Sequence, residues 1–219
     1  MAKKFLFFFG PPGSGKGTQV DMLAENLNIP VISPGELLRH EEDMETELGK
    51  RIRPLIDAGK MVPDEIVEEM VEKRLEKDDA KEGAIFDGYP RDMGQLEFIL
   101  DKLRSLMSEG DMVHAIHIDV EDSIIKSRLS GRRVCDCGAS YHIEFNPPKS
   151  EGKCDLCGAE LYVRKDDRPE VIEERLRYYH ESIKPLLDYW RKIDKLTEIS
   201  GNRPIDEIHE EILGLINKL

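Results

Sequence analysis

The chain has 219 residues, enough for one domain with insertions or for two small domains. Its formal net charge of −13 disfavours a general affinity for nucleic acid or for anionic membranes. No apolar run reaches roughly 18 residues, and the apolar stretch after the first lysines is too short for a secretory signal, so we expect a cytoplasmic protein whose four cysteines do not form disulfides.

Short apolar runs alternate with longer segments in which apolar residues recur at helical spacing. The short runs predict strands at residues 5–9, 30–33, 84–87, 113–120 and 196–200. The longer segments predict helices at residues 15–26, 45–58, 64–79, 92–108, 123–130, 169–190 and 205–217. Strands that alternate with helices form a parallel sheet covered on both faces, so the predicted fold class is α/β. Ligands in such folds bind at the carboxyl ends of the strands.

A glycine-rich loop, "GPPGSGKGTQ", follows the first predicted strand and precedes the first predicted helix. This order is the context of a phosphate-binding loop, in which backbone N–H groups and the lysine bind the phosphates. A plain Gly-Pro turn is the alternative, and the glycine spacing is wrong for a dinucleotide-binding loop. The residues expected to hold the ATP phosphates are Gly13, Ser14, Gly15, Lys16, Gly17 and Thr18.

The residue after the lysine departs from the usual triphosphatase loop, which has serine or threonine there to bind Mg²⁺ directly. Gly17 has no hydroxyl, and Thr18 comes one position late. The metal must then be held elsewhere, and Asp87, at the end of the apolar strand "AIFD", is suited to bind Mg²⁺ through water. The alternative for Asp87 is an ordinary turn with Gly88 at the end of the strand.

Residues 131–167 interrupt the alternation and contain all four cysteines. Sixteen residues separate the pair Cys135 and Cys137 from the pair Cys154 and Cys157, a spacing typical of a tetrahedral zinc site. The first pair is C-x-C rather than C-x-x-C, so its turn must differ. Zinc on four thiolates would be structural and would stabilise residues 131–167, a lobe too small to bury a core. An iron–sulfur or redox site and free thiols are the alternatives.

Further motifs occur in the same order as in adenylate kinases, and the chain resembles that family over nearly its whole length. After the loop they are "ISPGELLR", "DAGKMVPDE", "DGYPRDMGQ", "SRLSGRR", "YHIEFNPPKSEGKC" and "RKDDRPEVIEERL". The resemblance implies a P-loop kinase fold with a five-stranded parallel sheet flanked by helices, a helical monophosphate-binding insertion and a small zinc-stapled lid. It implies a core of residues 1–32, 64–130 and 168–219, an AMP-binding domain of residues 33–63 and a lid of residues 131–167.

The activity implied by the resemblance is phosphoryl transfer from MgATP to AMP, which yields two ADP. Such a transfer needs in-line positioning and cations around the spreading charge, and guanidinium groups suit both needs. The implied catalytic residues are Lys16, Arg91, Arg132, Arg164 and Arg175. The resemblance places Arg39 and Arg91 on the AMP phosphate. The arginines that it places around the ATP phosphates are Arg128, Arg132, Arg164 and Arg175. A surface ion pair is the alternative for any single arginine.

The resemblance also implies nucleotide contacts outside the loop. For ATP they are Arg128, Arg132, Ser140, Tyr141, His142 and Arg203, with a core role as the alternative for His142. For AMP they are Pro34, Arg39, Lys60, Met61, Val62, Gly88, Tyr89, Arg91, Gln95, Arg164 and Arg175. The implied cofactors are Mg²⁺ with ATP and a structural Zn²⁺, and the expected partners are nucleotides bound by a monomer. Asp166 and Asp167 are expected to pair with lid arginines.

One position departs from the family pattern, because Pro34 stands in "SPG" where Ser-Thr-Gly is usual. Proline has neither the hydroxyl nor the N–H, so a contact to the base would be lost or replaced by packing. A kinase for UMP, CMP or GMP is therefore the alternative function, although Gln95 and the long lid favour AMP. A nucleic-acid-linked ATPase with a zinc-ribbon module is the alternative of a different class, which the net charge disfavours.

Overall fold

The computed structural model describes residues 2–57, 60 and 62–219. The strands are β1 (Lys4–Phe9), β2 (Val31–Ile32), β3 (Gly83–Asp87), β4 (Met112–Asp119), β5 (Arg132–Val134), β6 (Ser140–His142) and β7 (Leu196–Ser200). The helices are α1 (Lys16–Leu27), α2 (Pro34–Asp43), α3 (Glu47–Asp57), α4 (Asp64–Leu75), α5 (Met93–Leu106), α6 (Asp122–Gly131), α7 (Pro169–Lys192) and α8 (Ile205–Ile216). None of the described helices combines the length and the apolar character that a membrane span requires.

The central sheet has five parallel strands in the order β2-β3-β1-β4-β7. They occupy the five segments that the sequence predicts, and the predicted α/β fold with a five-stranded parallel sheet is confirmed. β1 pairs with β3 on one side and with β4 on the other. The loop that follows β1 therefore lies at the middle of the carboxyl edge of the sheet.

The aromatic run of β1 is buried on both faces of the sheet, because successive side chains of a strand point to opposite faces. On one face Phe7 lies between Phe86 and Trp190, with ring centroids 4.5 Å and 5.0 Å away. On the other face Phe8 packs in the cluster that α1 and α8 cover. This burial fixes the position of β1 and of the loop after it.

The helices differ from the predicted ones between β2 and β3. The sequence predicts no helix where α2 lies, since Ser-Pro-Gly is typical of a turn. Pro34 nevertheless suits the first turn of α2, where its φ is helical and its missing N–H is not needed. The helix predicted for residues 45–58 is α3, although residue 58 lies outside the described residues. The predicted helix 64–79 ends early at Leu75, and a 3₁₀ turn follows at Asp78–Ala80.

The segment between α6 and α7 does not join the central sheet. Within it β5 and β6 form a separate antiparallel pair. Single bridges join Val134 to Tyr162 and Lys153 to Glu160, and a 3₁₀ turn at Lys165–Asp167 leads into α7. The rest of the segment is turns and irregular chain, as its composition predicts.

Candidate active site

The glycine-rich loop leaves β1 at the middle of the sheet edge and ends at α1. Gly13 and Gly15 have φ values of 83° and 88°, in the left-handed region that favours glycine. A side chain at Gly13 is also blocked, since a Cβ atom there would lie 2.8 Å from Cγ of Leu129. The N–H of Ser14 donates to the carbonyl oxygen of Pro11 over 3.1 Å. The loop thus turns directly before the N-terminus of α1, the positive end of the helix dipole.

Lys16 and Asp87 form an ion pair beside the loop, between Nζ and Oδ1. The parallel register of β1 and β3 sets Phe8 opposite Asp87, so the loop and the carboxylate are neighbours. The Ser33 hydroxyl donates to the other carboxylate oxygen of Asp87 over 3.5 Å. The structure thereby brings together the predicted phosphate-binding lysine and the predicted Mg²⁺-binding carboxylate.

Two carboxylates at the base of the lobe hold two arginines. The side chain of Asp167 is 0% exposed and accepts from Arg132, over 2.8 Å from Nε and also from Nη2. Nη1 of Arg175 lies 2.9 Å from Oδ2 of Asp166 and 3.5 Å from Oδ1 of Asp167. The expected pairing with a lid arginine is present for Asp167, whereas Asp166 pairs with Arg175 of α7, outside the lid. Together the two carboxylates set Arg132 of the lobe beside Arg175.

Arg39 and Arg164 lie close to this group, and burial and the neighbouring positive charges both lower their pKa values. Burial, with the charges of Arg39 and Arg132, lowers the pKa of Arg164 to about 10. Burial also lowers the pKa of Arg39, and the charges of Arg175 and Arg132 add to the effect. Burial opposes ionisation of Asp166, yet Arg175 and Arg39 hold its pKa below the ordinary value. A bound polyphosphate would relieve this excess of positive charge.

A cleft of about 690 Å³, its open mouth included, lies between α2, α3, α4, α5 and α7. Its lining includes residues with implied AMP contacts, namely Pro34, Arg39, Lys60, Val62, Tyr89, Arg91, Gln95 and Arg175. It also includes residues that the sequence did not single out, namely Gly35, Leu38, Ile56 and Val67, and it includes Asp166, for which the sequence predicts an arginine partner and no AMP contact. Arg164 is not part of the lining, and Met61 lies outside the described residues.

The residues that were missed are mostly apolar and lie on helices. Leu38 follows Pro34 by one helical turn, which is a readable signal once α2 is recognised as a helix. Val67 belongs to the buried stripe of α4, which a sequence pattern assigns to the core and cannot assign to a cleft.

Arg39 and Arg91 converge on one side of the cleft. A Cβ atom at Gly35 would lie 3.5 Å from Nη1 of Arg39 and 3.6 Å from Nη2 of Arg91. Nε of Arg91 donates to the carbonyl oxygen of Gly88 over 3.2 Å. Gly88 itself lies outside the cleft lining and beside Lys16, since a Cβ atom there would be 3.3 Å from Nζ. Arg91 therefore connects the cleft with the glycine-rich loop.

Arg128 lies on the opposite side of the loop. Its Nη1 atom donates to the carbonyl oxygen of Ser14 over 3.3 Å, and Nη2 donates to that of Gly201 over 2.9 Å. Gly201 and Arg203 both lie in the connection between β7 and α8, and Arg203 is exposed and paired with Glu211. The structure thus brings Arg128 to the loop and places Arg203 close to the carbonyl that Arg128 binds.

The lobe residues with implied ATP contacts have varied surroundings. Ser140 is exposed. The Tyr141 hydroxyl accepts the N–H of the residue after Cys154 over 2.8 Å and lies 3.5 Å from the Cys154 sulfur. A nucleotide contact of Tyr141 would therefore use its backbone. The His142 ring stacks on Phe145 at 4.4 Å, and its Nδ1 atom accepts the N–H of Phe145 over 3.1 Å, which orders the turn after β6.

The four cysteines of the lobe have Sγ atoms within 4.8 Å of one another. Tetrahedral zinc with Zn–S bonds of about 2.3 Å requires sulfur atoms roughly 3.8 Å apart. The sulfur atoms of Cys135 and Cys157 are 3.4 Å apart, and those of Cys137 and Cys154 are 3.5 Å apart. The donor set therefore fits a metal ion bound by four thiolates.

The short C-x-C turn closes in the same manner as the C-x-x-C turn. The N–H of Gly138 donates to the carbonyl oxygen of Cys135, and that of Gly158 to Cys154, each over 2.9 Å. In both turns the N–H of the first cysteine donates to the carbonyl oxygen of the alanine after the glycine. The missing residue shortens the first turn but leaves both thiols directed at the same point.

A glycine-rich loop at the middle of a parallel sheet, with a lysine and arginines around it, defines a phosphotransferase of the P-loop class. The family model for adenylate kinase matches residues 8–195. The chain is 46% identical over 213 residues to an adenylate kinase of Methanothrix thermoacetophila, which spans 97% of this chain and 98% of that protein. It is 41% identical over 215 residues, 98% of each chain, to one of Archaeoglobus fulgidus. The chain belongs to the adenylate kinase family.

Replacing Asp167 with asparagine should destabilise the protein, because it removes the buried negative charge between Arg132 and Arg175. Loss of one partner of a buried ion pair costs about 3–5 kcal/mol of unfolding free energy. The control is Glu160→Gln, which removes an 87% exposed carboxylate paired with Lys153 and should cost at most about 1 kcal/mol. Urea unfolding measures both changes, and equal costs would contradict a structural role for the buried pair.

Proposed function

We propose that the enzyme transfers the γ-phosphoryl group of MgATP to AMP and so forms two ADP. The observation that carries this proposal is the position of the arginines between the glycine-rich loop and the cleft. Arg39, Arg91 and Arg175 line the cleft, and Arg91 is bonded to Gly88, which lies beside Lys16. A donor phosphate on the loop and an acceptor phosphate in the cleft would meet among guanidinium groups.

The donor triphosphate would bind at the loop, where the N-terminus of α1 favours negative charge. Its oxygens would take the place of Asp87 at Lys16. The released carboxylate would then hold water ligands of Mg²⁺, which when bound neutralises charge on the β- and γ-phosphates. Gly17 is compatible with this division of roles, because Thr18 is left to contact phosphate.

In the transfer an oxygen of the AMP phosphate attacks the γ-phosphorus in line, and the bond from that phosphorus to the bridging oxygen of ADP breaks. The AMP oxygen is already ionised at neutral pH, so no side chain has to remove a proton. Arg132, Arg164 and Arg175 would stabilise the charge that spreads over the transferring group. Since Asp166 and Asp167 already hold two of these arginines, little reorganisation is needed.

Residues 131–167 would close over the phosphates and exclude water, to which the phosphoryl group could otherwise be lost. Arg132 at the start of this lobe is paired with Asp167 at its end. The ion pair therefore fixes the two ends of the lobe to each other, which favours movement of the lobe as one unit.

A structural Zn²⁺ on Cys135, Cys137, Cys154 and Cys157 would stabilise the lobe. The cluster of sulfur atoms and the two matching turns support this assignment. The lobe has a small core around Cys135, Tyr141 and Cys154, which is too little apolar surface to hold it together. Four thiolates leave no open position, so the lobe would use this metal for folding and not for transfer.

Adenine would be selected by the amide of Gln95, which lines the cleft. Pro34 lines the same cleft and offers neither a hydroxyl nor an N–H, so its side chain contributes packing only. Recognition of the base would therefore depend on Gln95.

The enzyme would act as a monomer on small nucleotides in the cytoplasm. Both proposed nucleotide sites are built from residues of one chain. The net charge of −13 disfavours binding to nucleic acid or to anionic membranes. Four thiols gathered at one point suit a reducing compartment.

A coupled assay for ADP formation from MgATP with AMP, CMP, UMP or GMP tests the acceptor. We expect the highest kcat/KM with AMP, because the arginines bind any monophosphate whereas Gln95 selects the base. A preference for another monophosphate would replace the proposed function with the alternative kinase. Rapid ATP hydrolysis without any monophosphate would point to an ATPase.

The variant Lys16→Met should lower kcat/KM for MgATP by about 100-fold or more, the effect expected when a positioned charge at the reacting group is lost. Lys153→Met is the control, since it removes an exposed lysine of the lobe and should leave activity near wild type. Steady-state kinetics measure both variants. Near-normal activity of Lys16→Met would refute the role of the loop.

Metal analysis of the purified protein should find about one zinc ion per chain, and Cys157→Ser should abolish zinc binding. Zinc chelation should lower the melting temperature of the wild type but not that of Cys157→Ser. The control Leu156→Ser changes an exposed residue of the same turn and should keep the zinc. Iron in place of zinc would count against the structural zinc site, and so would a wild type whose melting temperature does not change on chelation.

A further inference from the structure

The side-chain amide of Gln95 is held by two partners of opposite kind. Its Oε1 atom accepts the N–H of Arg91 over 2.9 Å, and its Nε2 atom donates to Oδ1 of Asp64 over 2.5 Å. A backbone N–H only donates, and a carboxylate only accepts. A flipped amide would set Oε1 against the carboxylate and Nε2 against the N–H. The observed orientation is therefore the one that satisfies both partners.

The amide keeps one donor and one acceptor for a ligand. Gln95 lines the cleft and is otherwise buried, with 1% of its surface exposed. Adenine has the complementary pair on one edge, since its 6-amino group donates and N1 accepts. Hypoxanthine and guanine have the reverse pair, because O6 accepts and N1–H donates. A 6-oxopurine would therefore require the flipped amide.

We propose that Asp64 is a positioning residue that determines base specificity, by fixing Gln95 in the orientation that accepts adenine and rejects 6-oxopurines. The inference rests on the proposed function, because it concerns the base of the AMP acceptor. Asp64 is exposed at the first residue of α4, and it is not one of the described residues that line the cleft. It acts through Gln95, whose amide has polar atoms for the base, whereas the side chain of Pro34 in the same lining has none.

A purely structural role for Asp64 makes a different prediction. Asp64 lies in the first turn of α4, where negative charge stabilises the positive end of the helix. If Asp64 only stabilised the helix in this way, its replacement would lower the melting temperature and weaken the binding of both purine nucleotides alike. Glu65 offers a matched control, since Glu65→Gln removes the same charge from the same turn and leaves the bond between Asp64 and Gln95 in place.

The experiment compares wild type, Asp64→Asn and Glu65→Gln by titration calorimetry with AMP and with IMP. IMP carries hypoxanthine, which is close to adenine in size and reverses the donor and acceptor. Asparagine can rotate its amide and donate to a flipped Gln95. We expect the preference for AMP over IMP to fall by about tenfold or more in Asp64→Asn, the effect of a hydrogen bond to a charged group. Glu65→Gln should keep the wild-type preference.

An unchanged ratio in Asp64→Asn, or a wild type that binds IMP as tightly as AMP, overturns the inference. A parallel loss of affinity for both nucleotides also overturns it, because that is the structural outcome. Since binding is measured without turnover, failure of the proposed function is distinguishable: it would appear as a wild type that phosphorylates another monophosphate in preference to AMP.

Discussion

The parallel pairing of β1 with β3 and β4 brings the carboxyl ends of three strands to one edge of the sheet. The glycine-rich loop leaves that edge, and Asp87 ends the neighbouring strand. Because β1 is buried on both faces, a shift of the strand would expose aromatic side chains to water. The hydrophobic core therefore holds Lys16 beside Asp87, and the chemistry of the site depends on that placement.

The chain has a net charge of −13, yet it can bind an anionic substrate because several of its arginine side chains lie close together at the site. Arg132 and Arg175 are fixed by Asp166 and Asp167, whose charges only partly compensate the arginines around them. Burial, together with the positive charges of Arg39 and Arg132, lowers the pKa of Arg164. Phosphate groups would provide the missing negative charge, so binding of the substrate would itself reduce the repulsion among the arginines.

The lobe and the core are stabilised by different means. The core buries aromatic and aliphatic side chains on both faces of the sheet, whereas the described part of the lobe has a small cluster around its cysteines. The two cysteine turns differ in length by one residue and close with the same hydrogen bonds. A metal ion at that point would let a short segment keep its shape although it buries little apolar surface.

The sequence by itself determined the five strands, the loop and the spacing of the cysteines, because each depends on a local pattern of apolar residues, glycines or thiols. It missed α2, since Ser-Pro-Gly is compatible with a turn as well as with a helix start, and packing against α3 selects the helix. The contacts of Lys16 with Asp87 and of Gln95 with Asp64 join residues 71 and 31 positions apart. Only the tertiary structure decided these pairs, because the partner of a side chain is set by how the helices and strands pack and not by the residues beside it in the chain.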